Sequence, residues 1–143
     1  DVEGCDVFVC ENPAVLAEAA ERLGGDAAPM VATWGRPNAA VLTLLEQLEA
    51  AGATLHYHGD LDWPGIGIAN ALLARFAMGP WRMGAEDLAA CAHLPGRPLE
   101  GRPLEALWDA SLRAAMEQRG RALHEEQLIE TLLEDLRELV GRA

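Results

Sequence analysis

The sequence predicts an α/β fold: a mostly parallel four-stranded sheet with helices on both faces, followed by further helices. Three observations predict it. Short β-branched and aromatic runs alternate with helical stripes through residues 1–83. Each of the early helices ends in glycine, the usual C-terminal stop. Beyond residue 83 the pattern turns helical and ends in a long amphipathic stretch. Residues 1–83 therefore form the α/β core, and residues 84–143 a helical extension packed on the same domain.

The elements follow in order. "DVFVC" (6–10) is a strand, and "PAVLAEAAERLGG" (13–25) is a helix with Val15, Leu16, Ala19, Ala20 and Leu23 on one face. "MVATW" (30–34) is the second strand. Asn38 caps a helix whose stripe is Val41, Leu42, Leu44, Leu45 and Leu48, ending at Gly52. "ATLHYHGD" (53–60) is the third strand. Pro64 lies in the first turn of "PGIGIANALLARFAM", a helix stopped by Gly79-Pro80, and "PWRM" (80–83) is a short fourth strand. In the second half, "GAEDLAACAHL" is a modest helix, and the near-duplicate "GRPLE" at 96–100 and 101–105 marks an exposed, extended connector. Residues 107–120 and 124–141 read as amphipathic helices, the last with Leu128, Ile129, Leu132, Leu133, Leu136 and Val140 as its buried stripe.

Composition narrows the function. At 143 residues there is one core, and half the chain is hydrophobic. No apolar run reaches membrane-span length, so no membrane partner is expected. The chain opens without Met and enters a strand almost at once, as expected of a piece of a longer protein. Cys5, Cys10 and Cys91 show no paired spacing, which fits a reduced, cytoplasmic setting. The net charge is −12, and all 11 basic residues are Arg. Absence of Lys excludes a Walker A loop and a pyridoxal Schiff base. The acidic balance also means that any nucleic-acid substrate needs metal ions or basic surface elsewhere in the parent chain.

Candidate chemistry lies in three carboxylates. Glu11 directly follows the first strand, and Asp60 directly follows the third, with Asp62 two residues on. In an open parallel sheet, ligands sit at the carboxyl ends of the strands. Were the first and third strands neighbours, Glu11, Asp60 and Asp62 would converge. Three carboxylates without Cys or His at ligand spacing point to Mg²⁺ or Mn²⁺. Such an ion polarises a phosphodiester and orients the attacking oxygen. The helix beginning near Pro64 offers its N-terminus to a phosphate, and Gly65 and Gly67 allow close backbone approach. The plainer alternative is that Asp62 caps that helix.

Glu after the first strand and D-x-D-x-x-G after the third resemble the Toprim domain of topoisomerases, primases and several nucleases. "GDLDWPGIGIAN" is similar to the D-x-D-P-x-G stretch of type IIB topoisomerase and meiotic-recombination cleavage subunits, except that Trp63 separates Asp62 from Pro64. "VFVCENPAVL", "TWGRPNAAVLTLLEQL", "HYHGDLDWPGIGIA", "PWRM" and "HEEQLIETLLEDL" resemble the C-terminal Toprim domain of Wadjet-type anti-plasmid nucleases, a group long catalogued as of unknown function. The resemblance implies a three-layer, Rossmann-like fold and metal-dependent DNA cleavage in defence against plasmid or phage DNA. Glu11 is then a metal ligand or general acid/base, and Asp60 and Asp62 are ligands. It implies DNA as substrate through the parent protein and condensin-like complex partners, with a homodimer also open. Hydrolysis and strand transfer both remain open; topoisomerase relatives draw their tyrosine from a separate winged-helix domain, and Tyr57 is expected in the core.

Other residues carry weaker signals. The family's "EEQ" makes Glu126 a further metal-site acid, although acids in a first helical turn already suit the helix dipole. Arg36, after the second strand, and Arg82 are candidate DNA-phosphate contacts. His56 and His58 alternate onto one strand face as half-buried sheet residues, with His58 a candidate partner to a ligand. The four Trp residues read as packing anchors, Trp63 being the one to test for base stacking. Two rival classes are a phosphatase or receiver domain, weakened by the missing Lys, and a non-catalytic Toprim-like assembly module in which the acids merely cap.

Overall fold

The computed structural model describes the backbone of residues 2–140 and the side chains of residues 2–137. Its strands are β1 (Asp6–Cys10), β2 (Met30–Ala32), β3 (Thr54–His58) and β4 (Met78–Pro80). They form one all-parallel sheet in the order β2-β1-β3-β4. Parallel strands need crossover helices, supplied by α1 (Pro13–Leu23), α2 (Ala39–Ala50) and α3 (Trp63–Arg75). The chain leaves β1 in one direction for β2, then returns past it to β3. Right-handed crossovers therefore place α1 on one face and α2 and α3 on the other. The outcome is the expected three-layer α/β architecture, with helices also toward the C-terminus: α4 (Ala85–Ala90), α5 (Leu112–Arg119) and α6 (Ile129–Val140).

Burial follows from the two covered faces. Val7, Phe8, Val9 and Cys10 are consecutive and all buried, as a central parallel strand requires. Val15, Leu45, Ile66, Leu132 and Leu136 bring the helices onto this sheet, each removing enough apolar surface for roughly 1.5–3 kcal/mol. In α2 the stripe is only partly inward: Leu45 is buried and Leu44 is exposed. Helix α6 packs beside α1, where Arg22 pairs with Glu130. Among the described residues no helix is long and apolar enough to cross a membrane.

Local chemistry fixes the helix starts. Asn12 Oδ1 accepts the Ala14 N–H, Asn38 Oδ1 the Val41 N–H, and Asp62 Oδ1 the Gly65 N–H. The third helix ends at Arg75, earlier than expected, and the fourth strand runs over 78–80, not 80–83. Two physical causes combine. Phe76 turns extended and is buried beside Met78, and β4 is an edge strand, which tolerates Pro80 as its last residue. The expected helix over 107–120 begins only at Leu112, because Asp109 ties the preceding turn to the Ser111 N–H and, through its other oxygen, to Ala85 N–H. The final helix opens with a 3₁₀ turn, Glu125–Leu128. Val140, expected in its stripe, lies outside the residues whose side chains are described.

The connector is not free. Leu99 N–H donates to Gly120 O, Ala122 N–H donates to Arg97 O, and Pro98 bridges Arg121. This pairing carries residues 120–123 alongside the sheet edge, where Leu61 and Leu123 exchange two backbone hydrogen bonds of 2.9 and 3.2 Å. The next two residues, His124 and Glu125, are thereby delivered over the ends of β1 and β3.

Gly65 also has an internal purpose. A Cβ there would lie 2.1 Å from Asp60 O and 2.9 Å from Asp62 Oδ1, whereas one on Gly67 would meet only Leu104 Cδ1 at 3.5 Å. Gly65→Ala is therefore expected to destabilise by about 2 kcal/mol or more through backbone displacement. Gly67→Ala is expected to be neutral or stabilising by up to about 1 kcal/mol, from helix propensity. Urea titration of the two variants checks this contrast.

Candidate metal centre

The strand order reverses between β1 and β3, the two strands that acids follow. This reversal is the crevice at which open α/β sheets bind ligands. Cys10 pairs with His58, so Glu11 and Gly59 emerge side by side. Glu11 N–H donates to His58 O at 3.1 Å, and Glu11 Oε2 accepts the Asp60 N–H at 2.9 Å. The two acidic loops are therefore stitched together directly.

Asp60, Asp62 and His124 each bring one ligand atom into a group whose members all lie within 4.8 Å of one another. Their donor set fits a divalent metal ion. Each carboxylate is anchored through one oxygen: Asp60 Oδ1 accepts the Glu125 N–H at 2.7 Å, and Asp62 Oδ1 accepts the Gly65 N–H at 2.7 Å. The second oxygen of each remains for a ligand, and Asp62 Oδ2 lies 3.6 Å from His124 Nε2. Capping and ligation by Asp62 are thus compatible, not alternatives. The cluster adds to the two expected aspartates an imidazole from a residue more than sixty positions further on. Imidazole broadens the set of suitable metals beyond those that favour oxygen alone.

Glu125 holds this arrangement from beneath. It is 0 % exposed, and its carboxylate accepts the Glu11 N–H at 3.3 Å and the Asn12 N–H at 2.6 Å. Its Oε2 also lies 2.8 Å from His58 Nδ1, a ring that is 1 % exposed. One residue therefore fixes the loop after β1 and the end of β3 through its side chain and Asp60 through its backbone N–H. The other ring nitrogen of His58 and the Tyr57 hydroxyl are buried without partners among the described residues.

The electrostatics favour a cation at this site. Burial pushes the Glu11 carboxyl up to about 7, with Asp60, Glu125 and Asp62 adding repulsion. Burial also raises Asp60, with Asp62 contributing. A carboxyl raised on folding binds more protons in the native state, so its contribution to stability is present at low pH and is lost as pH rises. For Glu11 the window runs from its ordinary 4.5 to about 7. In the presence of chelator, thermal stability is expected to fall across this window, and Glu11→Gln to flatten the slope. Metal uptake should run the opposite way, strengthening as the carboxyls lose their protons.

The remaining sequence-selected residues lie around this group. Glu126 is exposed and accepts from Asn12 Nδ2 at 2.6 Å, outside the three-residue cluster. Arg36 is exposed at the sheet edge, while Arg82 donates through Nε and Nη2 to Asp135. His56 stacks on Phe8 and contacts Asp6 at 2.7 Å, away from the acids, and Tyr57 is in the core. Trp63 is buried; Trp34, expected to be a packing anchor, is 76 % exposed.

Fold and site together define an α/β domain with an acidic, histidine-containing cluster at the carboxyl edge of its sheet, able to hold a metal ion. The chain belongs to the family described as "Protein of unknown function C-terminus (DUF2399)", whose model matches residues 1–136. No curated protein matches the chain, and no solved structure matches it.

Proposed function

We propose that this chain is the metal-dependent catalytic domain of a DNA endonuclease, a Toprim-like domain of the Wadjet type that acts in the cytoplasm against plasmid or phage DNA. The observation that carries the reading is the meeting of Glu11 with the Asp60–Asp62–His124 cluster at the switch point of a parallel sheet. Asp60, Asp62 and His124 would hold Mg²⁺ or Mn²⁺, the two carboxylates suiting either ion. When bound, the ion supplies Lewis-acid polarisation of the phosphodiester.

The chain's own groups do the rest. Glu11 Oε2 is occupied by the Asp60 N–H, which leaves Oε1 to take up or return a proton. A carboxyl raised to about 7 suits that exchange at neutral pH. The buried Glu125 holds both the loop carrying Glu11 and the Asp60 carboxylate. DNA-gripping surface and condensin-like partners would come with the parent protein, offsetting a net charge of −12.

Plasmid cleavage by the intact parent protein in Mg²⁺ or Mn²⁺ tests the proposal. Glu11→Gln and Asp60→Asn are each expected to abolish nicking and linearisation while leaving DNA binding in place. Undiminished cleavage by both variants would remove the nuclease reading.

A further inference from the structure

Trp34 and Arg36 stand on the same sheet edge as Glu11 and contribute nothing visible to holding the fold. The Trp34 indole is 76 % exposed and has no hydrogen-bond or ring partner among the described residues. Its backbone φ is +59°, a region that a bulky side chain enters only at a cost. The turn is nevertheless firmly fastened. Thr33 N–H donates to Cys10 O at 2.8 Å, Thr33 Oγ1 to Gly35 O at 2.8 Å, and Gly35 N–H to Glu11 O at 3.2 Å. A strained, solvent-facing indole is thus held in register with the residue that begins the acidic site.

The other tryptophans are used internally: Trp63 and Trp81 are buried, and Trp108 donates to Met83 O. Arg36 differs in the same way from the four arginines that form ion pairs. Arg22, Arg75, Arg82 and Arg113 pair with carboxylates, whereas Arg36 is exposed with no ion-pair partner among the described residues. An unpaired guanidinium in a chain of net charge −12 is a place for an anion to bind.

We propose that Trp34 and Arg36 form a nucleotide-binding platform, the indole stacking on an unpaired base and the guanidinium taking a phosphate of the strand presented to the acidic cluster. The proposal rests on the reading of that cluster as acting on DNA. Stacking on an indole tolerates any base, because every base offers a π-face, so the platform positions a strand without selecting its sequence. The fixed turn matters because a pre-ordered backbone loses little freedom on binding.

The test is equilibrium binding of a short single-stranded oligonucleotide to the intact chain, with Ca²⁺ in place of Mg²⁺ so that cleavage does not enter. Trp34→Gly is expected to weaken binding by about tenfold or more, and Trp34→Phe to retain most of it. Arg36→Ala should weaken binding and lower its salt slope by about one. Glycine accepts the left-handed backbone, so Trp34→Gly should melt no lower than wild type, which separates lost binding from lost folding. Equal affinities for wild type and Trp34→Gly overturn the platform, as does absence of wild-type binding up to about millimolar strand. So does Trp34-dependent self-association with strand affinity unchanged. Failure of the nuclease reading shows separately, as cleavage that survives Asp60→Asn.

Discussion

Replacing Glu125 with alanine is expected to destabilise the chain more than any other single substitution near the site, by about 3–5 kcal/mol. Two groups lose their partner at once, the Asn12 N–H and the Nδ1 of His58, and the Glu11 N–H is left with His58 O alone. Each buried polar group left unpaired costs about 1–3 kcal/mol, and no water can readily replace a carboxylate that is 0 % exposed. The hydrogen bond from Glu125 N–H to Asp60 comes from the backbone and survives the change. Urea denaturation checks the prediction, with Glu126→Ala as the control. Glu126 is exposed, and its one side-chain hydrogen bond among the described residues is to the Asn12 amide, so its loss should fall within about 0.5 kcal/mol. Should Glu125→Ala fail to fold, Glu125→Gln, which keeps one acceptor oxygen, gives a measurable midpoint between the two. A Glu125→Gln midpoint equal to wild type would show that the buried carboxylate is not the anchor.

The second large effect concerns binding. Asp60→Asn keeps the oxygen that accepts the Glu125 N–H, so the backbone around the site is preserved while the charge is removed. Divalent-ion affinity should fall by about a hundredfold or more, beyond the ten- to hundredfold usual for an outer partner of a ligand. Without metal the variant should be at least as stable as wild type at neutral pH. Burial disfavours the Asp60 charge, as its raised pKa records, and asparagine carries none. Titration calorimetry with Mn²⁺, paired with thermal melts in chelator, reads both halves. Wild-type affinity in Asp60→Asn would remove Asp60 from the metal centre.

These expectations divide along what local pattern conveys. Glu11 and Asp60 were legible because strand ends can be read from short β-branched runs, and a parallel sheet concentrates such ends on one edge. The dual use of Asp62 was half legible: the cap follows from position, but the free oxygen requires coordinates. His124 and Glu125 were not legible as site residues. They lie more than sixty positions from Asp60, and what brings them there is the Leu61–Leu123 bridge, which leaves no periodic mark in sequence. "GRPLEGRPLE" read as loose connector for the same reason, since its pairing with residues 120–122 depends on tertiary context. The tryptophans illustrate the limit most plainly. Trp63 and Trp34 are equally apolar and each stands near an acid, yet helix α3 turns one inward and a left-handed turn after β2 holds the other in solvent.

The backbone bridge between Leu61 and Leu123 also governs timing. Both aspartates leave the ribosome well before His124 and Glu125, a lag of roughly several seconds at ordinary synthesis rates. During that interval β1, β2 and β3 already exist as chain, but the carboxylates have neither their imidazole neighbour nor the buried acid that orients them. The cluster able to hold a metal is therefore complete only once residues 124 and 125 have been made, and a chain stopped before them carries the acids without the site.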